Sequence, residues 1–350
     1  MKKRSKIIVA FLVLTIFSLF GAVHSQTASD HFQRGLAASK SGDLPTAISE
    51  YTIAIQMDPK NSAAYYNRAI VYEKAKEPAL ALIDLTKSIE LKPDRSAAYT
   101  NRGNIYARRG DLVLALADHT KVVELDPKSA RSFFNRGSTY MEMRQTREAL
   151  ADYDRAAELD PRSANTFNMR GNLHSLTRNW ALAIADWDRA LELDPSRSEL
   201  HYQKLWTFLF LNDNERAIAA ATKYLDVKGV KDDRSGWALN AGYLAFLRSG
   251  NQTAGEALLS QYDREQMPGT FPKQVLQFLR GRIKQPEFMA AAGDDKLKIM
   301  AARTYIGEML LLSNKPEAAV EQFEWVIKNG PKNATEYKLA VAEADRMKKR

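Results

Sequence analysis

Small, bulky and polar positions recur along this chain with a period of 34 residues. Counted from Ala28, five gap-free units follow one another: 28–61, 62–95, 96–129, 130–163 and 164–197. The eighth position of each is small (Gly35, Ala69, Gly103, Gly137, Gly171) and the twentieth is alanine (Ala47, Ala81, Ala115, Ala149, Ala183). Bulky residues return at the eleventh and twenty-fourth positions, among them Tyr72, Tyr106, Tyr140, Tyr51, Tyr153 and Trp187. This spacing predicts two amphipathic helices per unit, close together at the small positions, with bulky side chains filling the space between units. Gly42 and Gly110 are placed to stop a first helix in the left-handed conformation. Pro45 and Pro78 fall at the start of a second helix, where a missing N–H is harmless. Prolines 59, 93, 127, 161 and 195 close the units by blocking continuation. A unit of this kind buries its apolar face only by stacking on its neighbours.

The pattern weakens after residue 197. Residues 198–268 read as degenerate helix pairs: 198–231 keep Ala217 but place Leu205 at the eighth position, and 235–265 pair around Gly242 and Ala254. The stretch 269–299 is an irregular insert, broken by Gly269, Pro272, Gly281, Pro286 and Gly293, with short apolar helices expected around Val275–Phe278 and Phe288–Ala292. Residues 300–350 recover one unit (Gly307, Ala319, Phe323, Pro331) and add an amphipathic helix, read as a solvated cap for the open end of the stack.

Small at 8, Tyr at 11, Ala at 20, aromatic at 24 and Pro at 32 together resemble the tetratricopeptide repeat (TPR) family, over five units in register. The resemblance implies an all-α fold, a right-handed superhelical solenoid of antiparallel helix pairs whose first helices line a concave groove. It also implies a non-catalytic protein–protein interaction scaffold that holds an extended peptide or a partner's surface. The insert between repeats is similar to those of exported bacterial adaptors of this family.

Composition narrows the picture. The formal net charge is +9, but Lys2, Lys3, Arg4 and Lys6 lie in the first six residues and the other cations are mixed with acids. A nucleic-acid partner is not expected without a concentrated basic footprint. The same basic run precedes an apolar stretch, Ile7 to Val23, and small Val23 and Ser25, the layout of a signal peptide at 1–25 cleaved after Ser25. The expected location is therefore periplasmic or secreted; without cleavage the segment would serve as an inner-membrane anchor. With no cysteine there is neither a disulfide framework nor a lipoprotein acceptor, so helix packing must supply the stability.

Catalytic and metal motifs are absent, and no cofactor is implied. His31, His119, His174 and His201 occupy different repeat positions. Asp294-Asp295 follows a glycine and reads as a helix cap. Arginine recurs at position 7 (Arg34, Arg68, Arg102, Arg136, Arg170) and an acid at position 23 (Glu50, Asp84, Asp118, Asp152, Asp186); both vanish together at Lys204 and Ala220. That joint loss favours an ion pair between the two helices of a unit over a ladder for an acidic ligand.

Position 6 carries Asn67, Asn101 and Asn135, flanked by Gln33 and Gln203 and interrupted by Met169. A carboxamide offers a donor and an acceptor together, matching one peptide unit. The resemblance implies that such asparagines line the groove; local hydrogen bonding within the fold is the other reading. Groove candidates at positions 2, 5, 9 and 12 include Tyr66, Asn104, Phe134, Asn168, Asn172, Tyr202 and Trp206, aromatic residues among amides. The expected function is an envelope adaptor. The alternatives are a membrane-tethered assembly or secretion factor, and an accessory module that recruits a cell-wall hydrolase or protease.

Overall fold

The computed structural model describes residues 27–262 and 270–349. The signal-like segment, its cleavage point and Gly269 lie outside them. The described residues form nineteen helices and no strand, in two compact units, one ending at Asp160 and the other beginning at Pro161.

The first unit consists of four antiparallel pairs: α1 (Ala28–Ser41) with α2 (Leu44–Met57), α3 (Ser62–Lys74) with α4 (Pro78–Leu91), α5 (Ser96–Arg109) with α6 (Leu112–Leu125), and α7 (Ala130–Glu142) with α8 (Thr146–Leu159). Local chemistry sets their ends. Thr27 and Asp30 form a reciprocal capping box, and Asp43 and Asn61 cap α2 and α3 through their side-chain oxygens. Gly42 and Gly110 take φ of 84° and 82°, as expected of left-handed terminators. The equivalent residues of the other two pairs, Lys76 and Arg144, adopt the same conformation at 62° and 60° without being glycine. Register in the stack thus imposes the turn even where the residue resists it, at a cost of about 1–2 kcal/mol.

Every position-20 alanine is fully buried. The position-24 ring lies on the position-8 glycine: a Cβ added to Gly35 would meet the Tyr51 ring at 2.7 Å, and one on Gly103 would meet His119 at 2.7 Å. Where position 24 is Leu85, position 8 is Ala69. The two positions form one packing device.

The second unit continues with α9 (Ala164–Leu176) and α10 (Trp180–Leu193), α11 (Ser198–Phe210) and α12 (Asn214–Lys228), and α13 (Asp233–Arg248) and α14 (Gln252–Gln261). The insert supplies α15 (Thr270–Leu279) and α16 (Gln285–Ala292); α17 (Lys296–Leu312), α18 (Pro316–Asn329) and α19 (Thr335–Met347) complete it. Asp295 caps α17, accepting from the Leu297 and Lys298 N–H groups.

The insert is part of the core. Helix α15 packs on α13 and α17, Phe271, Val275, Leu276, Leu279 and Phe288 are buried, and the Phe278 and Phe288 rings stack at 4.5 Å. Asn240 Nδ2 donates to the Pro272 carbonyl 2.9 Å away, fixing the insert to α13. The C-terminal helix also does more than cap an open end. Helix α19 packs on α17, α18 and α11, with Leu339 and Ala340 fully buried. Arg248 reaches Glu308 on α17 at 2.6 Å, Glu343 on α19 and the Leu209 carbonyl at 3.1 Å. Arg346 adds the Phe210 carbonyl at 3.1 Å. Burial, with Glu343 sharing the same guanidinium, raises the Glu308 carboxyl from 4.5 to about 7 against the opposing pull of Arg248.

Candidate functional site

The arginine series is structural. Arg68 donates to both Asp84 oxygens at 2.7 and 2.8 Å, Arg102 to Asp118 at 2.9 and 2.8 Å, Arg136 to Asp152 at 2.8 and 2.7 Å, and Arg170 to Asp186 at 2.9 and 2.6 Å. All four aspartates are buried, so these forks hold first helix to second helix rather than face a ligand. Arg68 and Arg102 also reach back to Thr52 and Thr86 of the preceding pair, at 2.9 and 3.1 Å. Lys204, which lacks the acid in its own pair, makes the corresponding backward contact to Asp188.

The position-6 asparagines remain half-buried on first helices of the first unit. Asn67 Nδ2 donates to the Ala63 carbonyl at 2.9 Å, and Asn101 Nδ2 donates to the Tyr66 hydroxyl at 3.0 Å. Both use the amide nitrogen within the fold and leave the carbonyl oxygen as an acceptor. Tyr66, Asn101 and Asn135 line one cleft of about 230 Å³, together with Thr100, Ser132 and Arg131.

The second unit holds another cleft, of about 270 Å³, between α9, α11 and α19. Asn172, Tyr202 and Trp206 line it with Trp187, Phe210 and Lys338. Tyr202 packs at 6.2 Å from the Trp206 ring and 5.4 Å from Tyr224, and burial pushes its phenol well above the ordinary value. Trp206 is only 4% exposed, and its indole nitrogen lies beside the Tyr202 hydroxyl without a hydrogen bond of proper geometry. Gln203 Oε1 is likewise buried with no donor.

Three of the other sequence candidates, Asn104, Asn172 and Phe134, are engaged within the fold. Asn104 Oδ1 lies 3.2 Å from His119 Nε2, Asn172 Oδ1 accepts from Trp187 Nε1 at 3.1 Å, and the Phe134 ring leans on Tyr153 at 5.6 Å. Asn168 Oδ1 is buried and unpartnered. Sequence reasoning missed Lys338 and Thr335 in the second cleft, since α19 reads as a surface helix until it is seen packed on α11.

Residues 32–94 and 130–163 match models of the tetratricopeptide repeat. No curated protein sequence matches the chain. Among solved structures it is similar to PilF of Pseudomonas aeruginosa, at 17% identity over 59% of this chain and 94% of that one, with a TM-score of 0.51. It is also similar to YrrB, a TPR protein with an unusual peptide-binding site (22% identity, 51% and 92% covered, TM-score 0.46), and to PilW, a widely conserved type IV pilus biogenesis factor (19%, 61% and 97%, 0.48). At such identities the likeness is one of fold.

Proposed function

We propose, from the premise that this chain is a tetratricopeptide repeat protein and hence a protein–protein interaction scaffold, that it is an adaptor of the bacterial cell envelope holding an extended peptide along its first-helix faces. One observation carries the peptide reading: at 34-residue spacing, Asn67 and Asn101 satisfy their amide nitrogens internally and keep their carbonyl oxygens, with Asn135 in the same series. A row of acceptors at fixed spacing suits the N–H groups of an extended backbone, whatever its side chains. Tyr66 and Arg131 in the same cleft add contact area and charge. Because the helices are already locked by the Arg–Asp forks, binding orders little on the protein's side.

Chemistry is not required of such a protein, and TPR proteins are generally interaction modules. The envelope location rests on the N-terminal sequence; among the described residues no helix is long and apolar enough to cross a membrane. The test is affinity capture from envelope extract with protein beginning at Gln26. Replacing Asn67, Asn101 and Asn135 by Ala is expected to remove the captured partner while leaving the circular dichroism spectrum and melting unchanged. Equal capture by the folded triple variant would remove the asparagines from the reading.

A further inference from the structure

Around the Trp206 cleft of the second unit, a buried donor and a buried acceptor, Trp206 Nε1 and Gln203 Oε1, make no hydrogen bond of proper geometry. We infer that this cleft is a carboxylate-selective pocket, taking one large apolar side chain of a bound peptide together with an adjacent carboxylate. The inference rests on the peptide-scaffold reading and adds a chemical specificity to it.

Size sets the first limit. About 270 Å³ falls below the usual range of small-molecule sites, about 300–1,000 Å³, and suits one anchoring side chain. Its walls are Trp187, Tyr202, Phe210 and Leu176, which favour an apolar guest. The polar groups then define what must accompany that guest. The Trp206 indole N–H is buried beside the Tyr202 hydroxyl but makes no hydrogen bond of proper geometry, so its donor remains poorly met. Gln203 Oε1 is a buried acceptor with no donor. A peptide N–H answers the second and an anionic oxygen the first.

Lys338 fixes the sign of the charge. Its side chain lines the cleft, and no Asp or Glu is among the lining residues. Burial, and secondarily Arg178, push its amine below the ordinary value, and no carboxylate forms an ion pair with it among the described residues. Thr335, in the first turn of α19, lines the same cleft, and Ala334 gives that helix no side-chain cap. The uncapped N–H groups and the helix dipole also favour an anion. Glu336, on the same turn, acts on Tyr202 and Tyr305 and is not part of the lining.

The carboxylate can come from a chain terminus or from an acidic side chain, and three probes separate these sources. Protein carrying ¹⁵N-labelled tryptophan is titrated with N-acetyl-phenylalanine, with its amide, and with N-acetyl-phenylalanyl-aspartyl amide. The Trp206 indole signal is assigned with Trp206→Phe. At least one carboxylate probe is expected to shift that signal and to bind about tenfold or more tightly than the amide, the scale of a charge-assisted hydrogen bond. Preference for the first probe identifies a terminus, and preference for the third an acidic side chain. Lys338→Gln is expected to abolish the advantage of the carboxylate while the amide's affinity and the other indole signals stay unchanged. The proposal fails if acid and amide bind equally, if no probe moves the Trp206 signal, or if Lys338→Gln preserves the discrimination. Any of these leaves the adaptor reading intact, which fails separately if the protein captures no envelope partner.

Discussion

Replacing Gly171 by Ala tests the packing device that repeats through the chain. The added Cβ would sit 2.8 Å from Trp187 Nε1, 2.9 Å from Cδ1 of the same ring and 3.2 Å from the Ala183 carbonyl oxygen. Favourable carbon contacts lie near 3.5–4.0 Å, so either the indole or the helix crossing must move. The indole is poorly placed to yield, because it is 2% exposed and its N–H donates to Asn172 at 3.1 Å. Overpacking of this kind costs about 1–3 kcal/mol. Against it stands the gain of about 1 kcal/mol from replacing a mid-helix glycine by alanine. The net expectation is a loss of about 0–2 kcal/mol, read by urea unfolding followed by tryptophan fluorescence and circular dichroism. The decisive step is a cycle with Trp187→Leu, which copies the natural Ala69/Leu85 pair. Alanine at 171 is expected to be neutral or stabilising in that background, a coupling of at least about 1 kcal/mol. If Gly171→Ala stabilises the native protein as much as it does the Trp187→Leu variant, the pairing of positions 8 and 24 is refuted.

Three further outcomes follow from the same structure. Arg136→Ala strands the buried Asp152 carboxylate and is expected to cost about 2–4 kcal/mol, toward the lower side for a buried pair because Arg136 retains some exposure; combining it with Asp152→Leu should recover most of this in urea unfolding, and a loss below 0.5 kcal/mol (roughly that of a surface pair) would contradict the fork's role. Lys76→Gly and Arg144→Gly relieve left-handed backbone and should each raise stability by about 0.5–1 kcal/mol, whereas lower melting temperatures would show the turn to be unstrained. Glu308, raised from 4.5 to about 7, binds its proton more tightly in the folded state, so its contribution is fully present below pH 4.5 and is lost as pH rises through about 7. The stability difference between native protein and Glu308→Gln should therefore shift against the native form across that window, and a difference independent of pH would refute the assignment.

How far the sequence was legible follows the range of each interaction. Gly42 and Gly110 announce their turns because only local sterics are involved, while Lys76 and Arg144 hide the same turn because the stack imposes it. The Arg–Asp fork was readable from the joint loss at Lys204 and Ala220, a pairing 16 residues apart within one unit. The asparagine series was readable as a spacing. That Asn104 and Asn172 would be engaged by His119 and Trp187 was not, since those partners stand 15 residues away on the second helix. Long-range closure was least legible. Arg346 meets the Phe210 carbonyl across 136 residues, and no local pattern in α19 marks Lys338 as a cleft residue rather than a solvated one.

On the adaptor proposal, first-helix faces and not second-helix faces receive the partner. Hydrogen exchange of the protein alone and with its captured envelope partner tests this most directly, read separately over each helix of the first unit. Protection concentrated on α3, α5 and α7, around Asn67, Asn101 and Asn135, is the predicted result. Protection on α4 and α6 instead, over the exposed Leu80, Ile83, Val113 and Leu114, would contradict it.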